Sequence, residues 1–234
     1  MKSRGLQTPW ASIADMMSSL MMVFLLISVT YSFQVKSVAD ELKKKNTDVS
    51  DLTDAYTDNR KEIHDALNER FADRFEEWSA ELDQETLTLR FTDPAILFEP
   101  GSSELTPRFE RILEDLWPKY VEALLEYSED ISEIRIEGHT SSEWVNADPD
   151  QSYFNNMKLS QERTRSALRY CYEITAEKDR EWVREHVTAN GMSFSRLVRT
   201  DSGEEDPKRS RRVEISVIVD SRQTLADIER LIND

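Results

Sequence analysis

The sequence predicts an α/β protein in three parts: a single N-terminal transmembrane helix, a helical linker, and a mixed-sheet α/β sandwich. Residues 16–33 contain no charged side chain. Apolar residues then recur every three or four positions, which is the spacing of one helix face. From residue 85 onward, segments typical of strands alternate with segments of helical periodicity. This alternation indicates a mixed sheet covered by helices on one face.

The transmembrane helix is predicted over residues 11–35, after a cytoplasmic tail of residues 1–10. In the segment 16–33, 13 of 18 residues are apolar, and the helix is long enough to cross roughly 30 Å of hydrocarbon. A cleaved signal peptide is the alternative, because Lys2 and Arg4 resemble its basic start and residues 37–39 are small. The apolar run is longer than a signal peptide requires, so we expect an uncleaved anchor. Long domains translocate largely regardless of local charge, which places the remaining residues in the periplasm.

Asp15 lies at the N-terminal edge of the apolar run. A carboxylate at the centre of a membrane helix costs roughly 2.5–3.5 kcal/mol and less near the edge, so an acid here is a candidate for carrying an ion or proton. The alternative is a helix N-cap or interfacial carboxylate, stabilised by the positive end of the helix dipole. Ser18 and Ser19 are positioned either to hydrogen-bond the carboxylate or a hydrated ion, or to allow close helix packing.

The linker is predicted as a helix over residues 36–84. Its apolar positions fit a heptad seam until Ile63, where the step changes, which indicates a stutter. One interpretation is an amphipathic helix that packs on its own domain. The other, which we favour, is a parallel dimer helix that holds two chains in register.

The C-terminal domain is predicted over residues 85–234. The expected strands are 85–91, 131–138, 194–198 and 213–219, the last being the most apolar and therefore central. The expected helices are 105–127, 160–174, 182–187 and 225–232. Ser102 or Ser103 is expected to cap the first of these helices and Ser160 the second. Pro118 is expected to kink or split the helix that contains it.

Composition excludes several classes of function. The net charge of -16 argues against nucleic acid as the main partner, because phosphate repels an acidic surface. The single cysteine, Cys171, excludes an internal disulfide and is expected to be buried. No hydrolase-like constellation is present, and the three histidines lack metal-ligand spacing, so we expect no catalytic residues and no metal. We interpret one basic cluster as turn and strand-edge charge; it contains Lys208, Arg209, Arg211 and Arg212.

Four motifs carry a family resemblance. Residues 96–105 (ILFEPGSSEL), 136–140 (IEGHT), Asn156 with 159–163 (LSQER), and 211–215 (RRVEI) resemble, in order, the motifs of OmpA-like peptidoglycan-binding domains. The acid-bearing N-terminal helix after WASIA resembles that of MotB-type stator subunits. Size, acidity and loop pattern are most similar to the MotB-like ZorB family of Zorya anti-phage defence systems.

The resemblance implies an ion-driven inner-membrane motor. In MotB-type proteins, two copies lie inside a ring of a polytopic MotA-like subunit, here a ZorA-like one, and each aspartate binds ions in turn. Asp15 matches that aspartate. The resemblance implies no cofactor other than the translocated H⁺ or Na⁺, and it leaves the choice between them open.

The resemblance also implies a site for the diaminopimelate-containing stem peptide of the cell wall. Arg163 matches the arginine that holds the distal carboxylate, and a planar guanidinium suits that role. Asn156 matches the signature asparagine, with Asn155 and Leu159 flanking the same groove and His139 in the turn beside it. The alternative for Arg163 is a surface ion pair with a neighbouring glutamate, either Glu162 or Glu137.

The sequence departs from the family at Ser141. The family has an aspartate there, which receives the diaminopimelate ammonium. Glu143 or Asp148 is a possible substitute in the following loop, and otherwise the domain binds the wall peptide weakly or needs a trigger.

Two other functions stay open at this level. One is a passive OmpA-like tether that moves no ions, which would gain nothing from an acid in the membrane. The other is a flagellar-type stator subunit, which differs from a defence motor in its genomic neighbours.

Overall fold

The computed structural model describes residues 9–220, 226 and 228–230. Its elements are, in chain order, α1 (Pro9–Phe71), α2 (Phe75–Trp78), β1 (Ala80–Asp83), β2 (Thr88–Phe91), α3 (Pro107–Leu125), β3 (Ile131–His139), α4 (Pro149–Ile174), α5 (Arg180–His186), β4 (Val187–Ser193), α6 (Pro207–Ser210) and β5 (Arg212–Val219). Short 3₁₀ turns cover Pro94–Ile96 and Glu177–Asp179.

Helix α1 extends over 63 residues. Its large apolar side chains from Ile13 to Val38 are exposed to solvent, as expected of a segment whose environment is lipid. Within the described part of the chain, α1 is the one helix long and apolar enough to cross a membrane. The predicted N-terminal apolar helix is confirmed. The predicted cytoplasmic tail lies almost entirely outside the described residues.

The sheet has five strands in the order β1-β2-β5-β3-β4. β3 and β4 are parallel, and the other neighbours are antiparallel. Parallel pairing requires a long crossover, which α4 and α5 provide. The mixed sheet and the central place of the last strand are therefore as predicted.

The two faces of the sheet differ in chemistry because side chains alternate along each strand. Ile134 and Ile136 pair with Val217 and Ile215 on the apolar face. Helix α3 covers this face, and its Phe109 ring packs edge-on against Phe91 of β2 with centroids 5.4 Å apart. The other face is polar and carries the buried residues Glu137, His139, Arg212 and Glu214.

Helix α3 is capped by a different residue from those predicted. Thr106 Oγ1 accepts the Phe109 N–H at 3.1 Å, so neither Ser102 nor Ser103 is the cap. Thr106 is favoured because a proline follows it at the first helical position. Pro118 does not split α3. Its place on the exposed face leaves the unpaired carbonyl accessible to water.

Helix α4 begins 11 residues earlier than predicted, at Pro149 rather than Ser160. Asp148 is the cap, and its Oδ1 accepts the Gln151 N–H at 2.9 Å. Ser160 lies inside the helix and is fully buried, where its Oγ accepts the Ser193 N–H at 3.0 Å. The serine thus joins α4 to β4 instead of starting a helix.

The strand predicted at residues 194–198 is wrong. The chain is extended just before it, in β4, because pairing with β3 fixes that stretch, including Gly191. Strand β1 was not predicted; it is short and pairs with β2 as a hairpin. The strand predicted at 85–91 is reduced to β2, since the turn of that hairpin occupies its first residues.

The compact unit that contains the sheet begins at Ala55, whereas the preceding part of α1 belongs to a separate unit. Ile63, Leu67 and Phe71 are each at most 2% exposed and belong to the core. The domain boundary drawn at residue 85 therefore differs from that of the compact unit, because the end of the helix assigned to the linker is core. Of the helix predicted at 225–232, residues 226 and 228–230 are helical and the others lie outside the described residues.

Candidate functional site

A groove of about 720 Å³ opens at one end of the sheet. Its walls come from the turn after β2, the loop after β3, helix α4 and the residue that precedes β5. The lining residues used below are Phe98, Glu99, Thr140, Ser141, Glu143, Asn156, Leu159, Arg163 and Arg211.

Arg163 is fixed at the base of this groove. Its Nε donates to the Ser102 carbonyl at 2.8 Å, and its Nη2 donates to the Glu99 carbonyl at 3.2 Å. The guanidinium carbon lies 4.9 Å from the centre of the Phe98 ring, within the range of a cation–π contact. These contacts orient the guanidinium through neutral groups and leave its Nη1 for a ligand.

The charge of Arg163 has no carboxylate partner among the described residues. Neither Glu162 nor Glu137, the pairs considered from the sequence, forms an ion pair with it; Glu162 pairs with Lys158 and Glu137 with Arg196. Burial, and secondly the nearby charge of Arg211, lower the pKa of Arg163 to about 10. The side chain stays protonated at neutral pH, so the groove contains a cation that lacks an anion.

Two of the other predicted site residues also line the groove. Asn156 is buried, and its Nδ2 donates to Ser152 Oγ at 3.4 Å. Leu159 lies one turn further along α4 and forms part of the apolar wall. Asn155 is exposed on α4 and is not among the lining residues. Its prediction followed sequence proximity, but adjacent helical residues point in different directions.

His139 is not brought into the groove. It is 3% exposed on the polar face of the sheet. Its Nε2 lies 3.3 Å from Glu214 Oε2 and 3.7 Å from Glu137 Oε2. Strand alternation explains the difference, because Gly138 faces α4 and the next residue faces the opposite side.

The Glu137–His139–Glu214 cluster has three metal-type donors close together. However, arginines already neutralise both carboxylates. Glu137 pairs with Arg135 and Arg196, and Glu214 with Arg90 and Arg212. A divalent cation would be repelled by these four guanidinium groups. The cluster is best described as an ion-pair network that fixes the end of β3.

At Ser141, where the resemblance led us to expect an aspartate, three polar groups are in contact. Arg211 Nη1 donates to Glu143 Oε2 at 2.8 Å and to Ser141 Oγ at 3.1 Å. Ser141 Oγ is 3.5 Å from the same Glu143 oxygen. Asp148, the other candidate substitute, caps α4 and does not line the groove.

Several groove residues were not identified from the sequence. The Thr140 hydroxyl is buried without a hydrogen-bond partner in the described structure, and Trp144 and Val145 add exposed apolar surface. The pair Trp144-Val145 in a polar loop was an available signal. Of the basic cluster near residue 210, only Arg211 lines the groove.

Asp15, in the separate N-terminal unit, lies inside α1 rather than at its start. The helix begins at Pro9, which excludes the N-cap interpretation. Ser19 Oγ donates to the backbone carbonyl of Asp15 at 2.9 Å, so its hydroxyl is bound to the backbone and not to the carboxylate. The Asp15 side chain is exposed on the surface of this single helix.

Comparison with known proteins gives one family match, one relative and two similar solved structures. The OmpA family model matches residues 97–216. The chain is 40% identical over 221 residues to Zorya protein ZorB of Escherichia coli, covering 94% of this chain and 91% of that protein. Among solved structures, a putative MotB-like protein from Desulfovibrio vulgaris is 24% identical with a TM-score of 0.49, covering 74% of this chain and 99% of that one. The periplasmic domain of Helicobacter pylori MotB is 12% identical with a TM-score of 0.46, covering 66% and 88%.

Proposed function

The chain belongs to the OmpA family and to the ZorB proteins, and from this premise we propose that it is the wall-anchored, MotB-like subunit of an ion-driven motor in the bacterial inner membrane. The motor acts in anti-phage defence. The relative at 40% identity, a Zorya protein, supports a defence role over a flagellar one. In this role the chain binds the cell wall and carries ions for the motor, and it is not an enzyme.

The observation that carries the wall-binding half of the proposal is the unpaired guanidinium of Arg163. Arg163 is half-buried, and a partly desolvated cation without a carboxylate partner is costly unless an anion reaches it. Arg163 lines a groove open to solvent, and its Nη1 has no acceptor among the described residues, so a carboxylate bound there would form a charge-assisted hydrogen bond. The ligand is the stem peptide of peptidoglycan, with its distal carboxylate on Arg163 and its chain along Asn156 and Leu159.

Sedimentation with purified sacculi tests this half. The Arg163→Ala variant should lose most of its wall binding, because it removes the groove guanidinium that lacks a carboxylate partner, whereas Arg211 is paired with Glu143. Arg165→Ala is the matched control, since Arg165 is exposed two residues further along α4 and lines no part of the groove. Equal sedimentation of Arg163→Ala and the wild type would refute the groove as the wall site.

The membrane half of the proposal rests on Asp15. It is the acid bordering the uncharged segment 16–33, and a passive tether has no use for it. Two copies of the chain place this carboxylate inside a ring of a MotA-like, ZorA-like subunit, where it binds H⁺ or Na⁺ in turn. The membrane potential supplies about 2.3 kcal/mol per charge per 100 mV to each step. The N-terminus is cytoplasmic and the sheet domain periplasmic.

Phage challenge of cells that carry the complete defence system tests the ion-carrier role. Asp15→Asn should abolish protection while the protein accumulates normally in the membrane, because the neutral amide cannot load and release an ion. Asp40→Asn, which changes an exposed acid further along α1, should protect like the wild type. Full protection by Asp15→Asn would refute the ion-carrier role and leave the passive tether as the remaining function.

A further inference from the structure

The groove beside Arg163 contains a second charged centre, made by Ser141, Glu143 and Arg211. We propose that Glu143 is the specificity-determining acid of this groove, which receives the free ammonium group of the ligand while Arg163 holds the carboxylate. This inference rests on the wall-binding function proposed above. It assigns to Glu143 the task that an aspartate at position 141 would perform.

Geometry selects Glu143 among the nearby acids. Its Oε2 lies 3.5 Å from Ser141 Oγ, so the carboxylate is in contact with the uncharged serine. Asp148 accepts the Gln151 N–H as the cap of α4 and is not a lining residue. Glu99 also lines the groove, but its carboxylate forms no hydrogen bond or ion pair with the described residues, so nothing fixes its position.

In the free protein Arg211 holds Glu143 in place through a contact that a ligand can displace. The two side chains form an ion pair of 2.8 Å, in which Glu143 is 65% and Arg211 37% exposed. Ion pairs this exposed contribute about 0–1 kcal/mol, so a ligand ammonium competes readily for the same oxygen. The displaced guanidinium remains beside the groove, where it adds a second positive charge for the ligand's carboxylate.

The charges of the site match a zwitterionic group. Two guanidinium groups, Arg163 and Arg211, stand beside the single fixed carboxylate of Glu143. The unpartnered, buried hydroxyl of Thr140 lies on the same wall and offers a further hydrogen bond to a ligand. A free amino-acid head, with one ammonium and one carboxylate on the same carbon, satisfies all of these groups. A ligand whose amine is acylated does not.

The test compares two synthetic stem peptides that end in diaminopimelate, one with a free distal amine and one with that amine acetylated. Titration calorimetry of the detergent-solubilised full chain measures both affinities. The wild type should bind the free amine at least about tenfold more tightly, as expected for a charge-assisted hydrogen bond. Glu143→Gln should reduce this preference to about twofold or less. Glu99→Gln, the matched control, should keep it.

A second variant keeps the test independent of folding. Ser141→Asp added to Glu143→Gln should restore the preference for the free amine, because it returns a carboxylate to the same place. Failure of this rescue, or a preference that survives Glu143→Gln and is lost in Glu99→Gln, would overturn the assignment. If Arg163→Ala loses binding while Glu143→Gln still discriminates, only this inference fails. If Arg163→Ala binds like the wild type, the proposed wall site fails as well.

Discussion

Glu214 lies buried on the polar face of the sheet, where Arg90 and Arg212 both donate Nε–H to its Oε1, at 2.6 and 2.7 Å. Burial alone would raise the pKa of its carboxyl, but the adjacent His139 ring and hydrogen bonds from Arg212 and Arg90 outweigh burial and hold that pKa far below its usual range. Glu137 nearby also has a lowered pKa, for which the His139 ring, 3.7 Å away, is the main cause and the charge of Arg196 a further one. This network supports the strand that leads into the groove.

Replacing this carboxylate tests the network. Glu214→Gln should destabilise the folded protein by about 3 kcal/mol at pH 7, because the buried Arg212 and the half-buried Arg90 lose their shared anion. Urea unfolding followed by tryptophan fluorescence measures the effect. Glu81→Gln is the control, since Glu81 pairs with the same Arg90 but is 56% exposed, and it should cost well under 1 kcal/mol.

The pH dependence has a fixed sign. A carboxyl with a lowered pKa in the folded state contributes stability above its unfolded pKa of about 4.3, and loses that contribution as the pH falls toward the folded value. The difference in unfolding free energy between the wild type and Glu214→Gln should therefore shrink as the pH falls below 5. A difference that is constant from pH 7 to pH 3 would contradict the ion-pair explanation.

Individual groove residues were predictable where the residues of a motif are also spaced to lie on one face of a helix. Asn156, Leu159 and Arg163 are spaced by three and four positions, so one face of α4 presents all of them. His139 was misplaced because a motif does not tell which face of a strand a residue occupies. That depends on register, and the register pairs His139 with Arg212 on the polar face.

The contact between α4 and β4 depends on the absence of a side chain. A Cβ on Gly191 would lie 2.4 Å from the Gln161 backbone nitrogen and 2.7 Å from its Cα. On the neighbouring strand, a Cβ on Gly138 would lie 2.8 Å from Thr164 Cγ2. The helix therefore lies directly on the backbone of the parallel strands, and this places Arg163 at the groove.

A methyl group at this contact should force the two elements apart. Gly191→Ala should cost about 2–3 kcal/mol of unfolding free energy, because backbone atoms rather than a flexible side chain must move. It should also weaken sacculus binding, since α4 carries the groove residues. The neighbouring Asn190→Ala, a half-buried position, should cost about 0.5 kcal/mol. Equal unfolding midpoints for the two variants would show that α4 does not pack as closely as described.

Helix ends were less predictable than helix interiors. Ser160 and the pair Ser102-Ser103 have cap chemistry, yet Asp148 and Thr106 form the caps. Both true caps precede a proline, a signal present in the sequence that was not used. The helix interiors were predicted from the spacing of their apolar residues. A helix that buries one face needs apolar residues every three or four positions.

The whole domain depends on residues that the sequence assigned to a linker. Ile63, Leu67, Phe71 and Trp78 are all buried in the core, and β1 extends the sheet beside β2. Full burial of four such side chains stabilises by roughly 6–12 kcal/mol, at about 1.5–3 kcal/mol each. That is comparable to the total stability of an ordinary domain, about 5–15 kcal/mol.

Two fragments test this boundary. A fragment of residues 55–234 should fold and unfold cooperatively in urea, because it contains the whole compact unit. A fragment of residues 85–234 should fail to fold, since it lacks the four core side chains and leaves β2 as an unpaired edge. Cooperative unfolding of the shorter fragment would contradict the assignment of the end of α1 to the core.

The sequence by itself determined the family, the apolar N-terminal helix with its bordering acid, the mixed sheet, and the face of α4 that carries Arg163. These features repeat along the chain or lie within a few residues, so local periodicity and motifs are enough to specify them. Only the tertiary structure decided that Glu143 rather than Asp148 stands above Ser141, that Arg211 joins the groove, and that His139 faces away from it. Those arrangements depend on strand register and on contacts between residues about 70 positions apart, which no local pattern encodes.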